Sequence, residues 1–216
     1  MRPAYLQGLC CAVLLLSMNG CQSAYYSAME QAGVPIRTLV VNRVEAARDA
    51  QQEAGDQFSS ALERFRSVVQ VPESELSRTY DALADEYEAS QRAAQAVHQR
   101  IDAIEGASEA LFDEWQGELD DYHNASYRQR SAAELKQARQ HYAEMLDAMH
   151  EAEQSLQPAL DLMHDNVLFL KHNLNARAIG ALAPEVDRLE ARVTRLRQQM
   201  HAAIERSNSF IATLPE

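Results

Sequence analysis

The sequence predicts an all-α fold, an antiparallel bundle of four long helices with coiled-coil-like seams. Three observations carry this. After residue 35, apolar residues recur in alternating steps of three and four, the pattern of a helix with one buried stripe. Glycine and proline are scarce, 7 and 6 in 216 residues, and fall mostly at the borders of those stripes: Gly33-Val34-Pro35, Pro72, Gly180 and Pro184. No segment alternates polar and apolar with period two for long enough to make a sheet. With 46% hydrophobic and 24% charged residues, the chain is suited to one sizeable core and is too short for several domains.

The first element is an address. Residues 1–20 carry Arg2, an apolar run from Leu6 to Leu16 too short to span a bilayer as a mature helix, and then Ser17-Met18-Asn19-Gly20-Cys21. A small residue directly before a cysteine after such a run resembles the bacterial lipoprotein signal. By that likeness Cys21 receives diacylglycerol and becomes the mature N-terminus, and Gln22, not being Asp, implies the periplasmic face of the outer membrane. The cysteines are Cys10, Cys11 and Cys21, so cleavage leaves one and no internal disulfide. Residues 21–35 read as a linker in which Ala24, Tyr25, Tyr26, Ala28 and Met29 form a short helix over the bundle or on lipid.

Four helices follow in one domain over 36–216, expected at about 36–70, 73–122, 128–178 and 184–214. The first seam runs Val40, Val44, Ala47, Gln51, Ala54, Phe58, Ala61, Phe65, Val68. The second passes through Leu83, Ser90, Val97, Ile101, Ile104, Ser108, Leu111, Trp115, Glu118 and Tyr122. The third passes through Leu135, Ala138, Tyr142, Met145, Met149, Ala152, Leu156, Met163, Val167 and Leu170, and the fourth through Val186, Leu189, Val193, Leu196, Met200, Ala203, Ser207, Phe210 and Leu214. Pro158 should bend the third helix. Ser131-Ala132-Ala133-Glu134 matches a capping box that would start it late. Pro184 suits the first turn of the fourth. The two central helices, at about fifty residues or roughly 75 Å each, outreach the others, so 109–147 should project as a two-helix arm. The tether from Cys21 would then join part-way up the rod.

Charge points to candidate surfaces. Lys+Arg total 20 against 32 Asp+Glu, a formal net charge of −12, which disfavours nucleic acid and anionic headgroups as partners. Asp102, Glu105, Glu109, Asp113, Glu114, Glu118, Asp120 and Asp121 crowd a stretch without Arg or Lys, and the returning helix starts with Arg128, Arg130, Lys136 and Arg139. Either these pair across the hairpin and set its register, or the acids face a basic partner or divalent cations. A two-helix arm would leave part of Trp115 and Phe112 uncovered beside Asp113 and Glu114, a possible partner-binding patch. Lys171, His172, Asn173, Asn175 and Arg177 crowd polar groups before Gly180, serving either as a helix C-cap or as a small polar site.

Site chemistry is thin. There is no phosphate loop, no nucleophile elbow and no His-Glu-x-x-His. The nearest matches to the Glu-x-x-His pairs of a di-metal bundle are Asp147/His150 and Asp161/His164, both on the third helix, so no metal centre or other cofactor is expected. Cys21-Gln22-Ser23-Ala24-Tyr25-Tyr26, Arg43-Val44-Glu45-Ala46-Ala47-Arg48, Ala110-Leu111-Phe112-Asp113-Glu114-Trp115 and Leu170-Lys171-His172-Asn173-Leu174-Asn175-Ala176-Arg177 resemble an uncharacterised family of Gram-negative lipoproteins, the domain of unknown function 2959. The resemblance implies a helical periplasmic lipoprotein and brings no catalytic residue with it. The expected function is a non-enzymatic, membrane-tethered rod that spaces or adapts an envelope protein partner. The competing expectation is a small-ligand or metal sensor using Asp161, His164, His172 and Arg177. Seams of this kind also permit self-association.

Overall fold

The computed structural model describes residues 35–68, 76–173 and 175–214, without the side chains of Leu76, Ser77, Ala176, Arg177 and Ala178. Cys21 and the 21–34 segment lie outside the described residues. Five α-helices make four rods: α1 Ile36–Val68, α2 Leu76–Glu118, α3 Ala125–Gln154, α4 Leu156–His172 and α5 Ala176–Ile211. No strand occurs among the described residues. The α3–α4 pair is one rod interrupted at Ser155.

The rods close a square because each has one apolar stripe to hide. α1 packs on α2 and α5, and the α3–α4 rod packs on those same two, so α1 lies diagonally across from it. Neighbours run antiparallel. Along α1, Arg43 reaches the Ala103 carbonyl (2.6 Å) and Gln57 reaches Glu86 (2.8 Å), so α2 descends as α1 climbs. Arg48 to Asn208 (2.6 Å) and Arg66 to Glu190 (2.5 Å) set the same opposed direction for α5. Every residue of the first and fourth seams is buried, and Phe58, Phe65, Phe210, Leu83, Ile101, Met145, Met149 and Leu189 are fully so. The polar residues Gln51, Ser90, Ser108 and Ser207 are buried along with their seams.

Four details depart from the expectations. Glu118 and Tyr122 are exposed, because α2 ends at Glu118 and the tighter 3-10 turn Leu119–Asp121 brings Leu119 inward instead. The third rod starts at Ala125, six residues before Ser131. Asn124 is its N-cap, its side-chain oxygen accepting from the Ser126 (2.9 Å) and Tyr127 (3.4 Å) amides. In keeping with the expectation for Pro158, the rod is interrupted just ahead of it, where its ring would crowd the carbonyl of Gln154 in an unbroken helix.

The last two departures concern the base and the tip. α4 stops at His172 and α5 already begins at Ala176, so Pro184 sits inside α5 and not in its first turn. The carbonyl that Pro184 crowds belongs to Gly180, exposed and with open space around it, so the helix adjusts there and continues. The projecting part of the hairpin is shorter than 109–147. Pro35, Ile36 and Leu214 line a groove with Leu111, Trp115 and Tyr122, and Arg37 donates to the Leu214 carbonyl (3.4 Å). α1 therefore begins beside the tip, not part-way along, and the fully exposed 120–130 segment extends beyond the flanking rods.

Two predictions follow from this packing. Phe58→Ala, which empties a fully buried position, should cost about 3–5 kcal/mol in urea unfolding. Gln51 has no exposed surface, and neither its amide nitrogen nor its oxygen has a partner. Gln51→Leu should therefore stabilise the chain by about 1–3 kcal/mol, and destabilisation by that variant would contradict the packing described.

Candidate functional site

Trp115 and Phe112 belong to the core. Trp115 retains 9% of its surface, and its indole N–H donates to Ser131 Oγ at 2.8 Å inside the α2–α3 interface. Phe112 meets Tyr142 edge-on, ring centres 5.3 Å apart, and Tyr142 meets Phe210 at 5.7 Å. Burial, reinforced by the nearby Glu105 charge, pushes the Tyr142 phenol up to about 12. Asp113 is exposed and Glu114 half-buried beside this aromatic column. The apolar surface expected at Trp115 is displaced outward to Tyr122 and to Tyr127, which is 63% exposed at the turn.

The polar run near residue 175 falls at the junction of α4 and α5. Asn173 caps α4, its side-chain amide donating to the Phe169 carbonyl (3.0 Å) and its backbone N–H to Leu170 (3.1 Å). Asn175 stands just before α5, and its carbonyl accepts the Ile179 amide (3.3 Å). Lys171 and His172 are exposed in the last turn of α4, where a cation suits the negative end of the helix. The side chain of Arg177 lies outside the described residues. Exposed Leu168 and Phe169 share this end of the rod.

Among the described side chains, Asp161, His164 and His172 of the sensor expectation do not gather into one site. Asp161 accepts from Gln157 on its own helix (2.6 Å), His164 sits against its neighbour Asp165 (3.6 Å) and the Tyr87 ring, and His172 lies two turns further on. Among the described residues, no group of three or more His, Cys, Asp or Glu is placed to hold a metal ion.

The cross-hairpin pairing expected of the acidic stretch does not form among the described residues. Arg130 reaches Glu134 on its own helix (3.0 Å), while Arg139 donates to the Phe112 carbonyl (3.3 Å) and lies over the Phe112 ring. Among the described residues none of Arg128, Arg130, Lys136 and Arg139 forms an ion pair with residues 102–121. Histidines meet the acids instead. His98 Nδ1 lies 2.6 Å from Glu153 Oε1 and its Nε2 3.5 Å from Asp102. His150 Nδ1 lies 3.2 Å from Glu153 Oε2 and its Nε2 3.0 Å from Glu105. The spacing held a partial signal for this cluster: His98/Asp102 and His150/Glu153 are helical neighbours by number. Only the register between α2 and α3 brings the two pairs onto one carboxylate.

Ser131→Ala should cost about 1–3 kcal/mol in chemical unfolding, because it leaves the buried indole N–H without an acceptor. An unchanged midpoint would show that the bond contributes nothing.

The fold and the residues it gathers can now be set beside known proteins. No curated protein matches the sequence. A family model described as protein of unknown function (DUF2959) matches residues 25–214, most of the 216-residue chain, and the chain belongs to that family.

Proposed function

We propose that the protein is a non-enzymatic lipoprotein rod, tethered through Cys21 to the periplasmic face of the outer membrane, that holds an envelope partner at a fixed distance. One observation carries this reading: both ends of the described chain, Pro35 and Leu214, meet beside Trp115 at one end of the bundle. A tether leaving there holds that end near the lipid. α2 alone, at 43 residues, then sets the opposite end about 65 Å away. That far end carries the exposed Leu168 and Phe169 with Lys171, a small apolar patch on an acidic protein.

The sequence supplies the anchor chemistry. Several acyl chains on one cysteine hold far more firmly than a single chain does. No described helix is long and apolar enough to cross a membrane. On this reading Cys21→Ala moves the protein from the outer-membrane fraction into the soluble periplasmic fraction. A photocrosslinker at Phe169 traps an envelope protein in cells, whereas one at Glu45, on the side of the rod, traps less. Retention of the Cys21→Ala protein on the membrane would remove the tether from the account, and equal yields from both crosslinker positions would remove the end-on partner.

A further inference from the structure

The α2–α3 hairpin holds a cluster that neither a tether nor a spacer requires. Each of the four ring nitrogens of His98 and His150 faces a carboxylate oxygen, at 2.6 and 3.5 Å for His98 and at 3.2 and 3.0 Å for His150. A carboxylate only accepts, and a neutral imidazole has a single N–H to give. For His150, which hydrogen-bonds a carboxylate through each nitrogen, only the doubly protonated ring satisfies both contacts, and protonated His98 adds an ion-pair contact with Asp102 to its Glu153 bond. Glu153 is shared, receiving His98 from α2 on one oxygen and His150 from α3 on the other. It lies two residues before Ser155, where the third rod bends. Beside the cluster, between α2 and the bend, runs a groove of about 750 Å³ whose wall includes His98 and Glu153.

We propose that His98, His150 and Glu153, with Asp102 and Glu105, form a proton-operated clasp that locks α2 to α3 beside the bend and releases it on deprotonation. With both rings protonated, two positive charges sit among three carboxylates. With both neutral, three carboxylates remain at this level without a positive charge among them, and Glu153 of α3 is repelled by Asp102 and Glu105 of α2. Glu88 and Arg92 of α2 look across the groove, α4 contributes Leu156, Gln157 and Leu160 to it, and Arg43 of α1 holds the Ala103 carbonyl on the other side of α2. Tyr142 lies near Glu105, and α5 meets α3 at Glu144 through Arg206. No other basic side chain takes the place of the imidazoles among these neighbours.

The electrostatics agree with the geometry. The hydrogen bond to Glu153, helped by Asp102, holds His98 above the ordinary imidazole value. Burial pulls His150 down, but Glu153 and Glu105 outweigh it and hold it above that value too. A group whose pKa is raised on folding stabilises the fold below its unfolded value, about 6.5, and that contribution is lost as pH rises through the raised values. The clasp is therefore closed in acid and open in mild alkali.

Both rings are at least partly exposed, so replacing them should leave the fold intact. The experiment compares thermal unfolding of the mature chain with that of the double variant His98→Gln/His150→Gln at pH 5.5 and pH 9. The wild type should melt higher by roughly 2–4 °C at the lower pH, with the gap closing at the higher. A gap equal at both pH values, or none at pH 5.5, overturns the clasp. Imidazole titration by NMR gives an independent reading: the His98 and His150 midpoints should lie above the ordinary value and fall in Glu153→Gln. Midpoints at or below that value in the wild type, or unmoved in the variant, overturn it equally.

Discussion

Each helix of this protein has a single apolar stripe, and none can hide it alone. That constraint decides the rest. Isolated helices of this length owe little to intrinsic propensity, and their stability comes from the face they bury. Four stripes in one chain, joined by short connections, close as an antiparallel square. Everything charged is driven to the outside. Of the buried polar residues, Gln51, Ser90, Ser108 and Ser207 occupy seam positions where the winding leaves them no other direction. Ser207 resolves this by donating to the Ala203 carbonyl one turn back (2.7 Å), whereas Gln51 finds no partner. A lone buried amide in such a seam disfavours slipped alignments, since few registers tolerate it, at a cost in stability.

The fold class was legible because a step of 3.5 residues leaves a strong trace in sequence, and nearly all seam residues are buried as their spacing requires. The ends of helices were less legible because they depend on single residues. Asn124, not Ser131, caps the third rod; both have suitable side chains, and the tertiary structure reserves Ser131 for the Trp115 indole. The end of α4 at His172 hid within a run that reads as continuous helix, because Asn is tolerated in either state. Pro184 misled for a similar reason: proline marks a first turn more often than an interior, yet here the residue one turn earlier is an exposed glycine that accommodates it.

The candidate site was legible only in pieces. The sequence marks Trp115 as unusual but does not show how deep it lies. Its depth follows from how far α1 and α5 reach along the hairpin, which rise per residue alone overestimated as a free arm. Charges of opposite sign on successive helices suggested pairing between the acids of 102–121 and Arg128 to Arg139. The register brings His150 to Glu105 instead, with Arg139 held on the Phe112 ring and carbonyl. Such pairings depend on the relative rotation of two helices, which a single sequence does not contain.

That same reach fixes where the polypeptide enters and leaves the bundle, and from it follow the end that a tether would hold and the end left to a partner. Trp115 is the chain's single tryptophan, so its fluorescence reports on this point directly. A nitroxide attached to an Ala212→Cys variant, in a chain with Cys21 replaced, should quench that fluorescence strongly, because Leu214 and Trp115 line one groove. The same label at Glu185, about 40 Å away along α5, should leave it unchanged. Quenching from position 185 and none from position 212 would place the chain's end at the opposite pole of the rod and contradict the arrangement described.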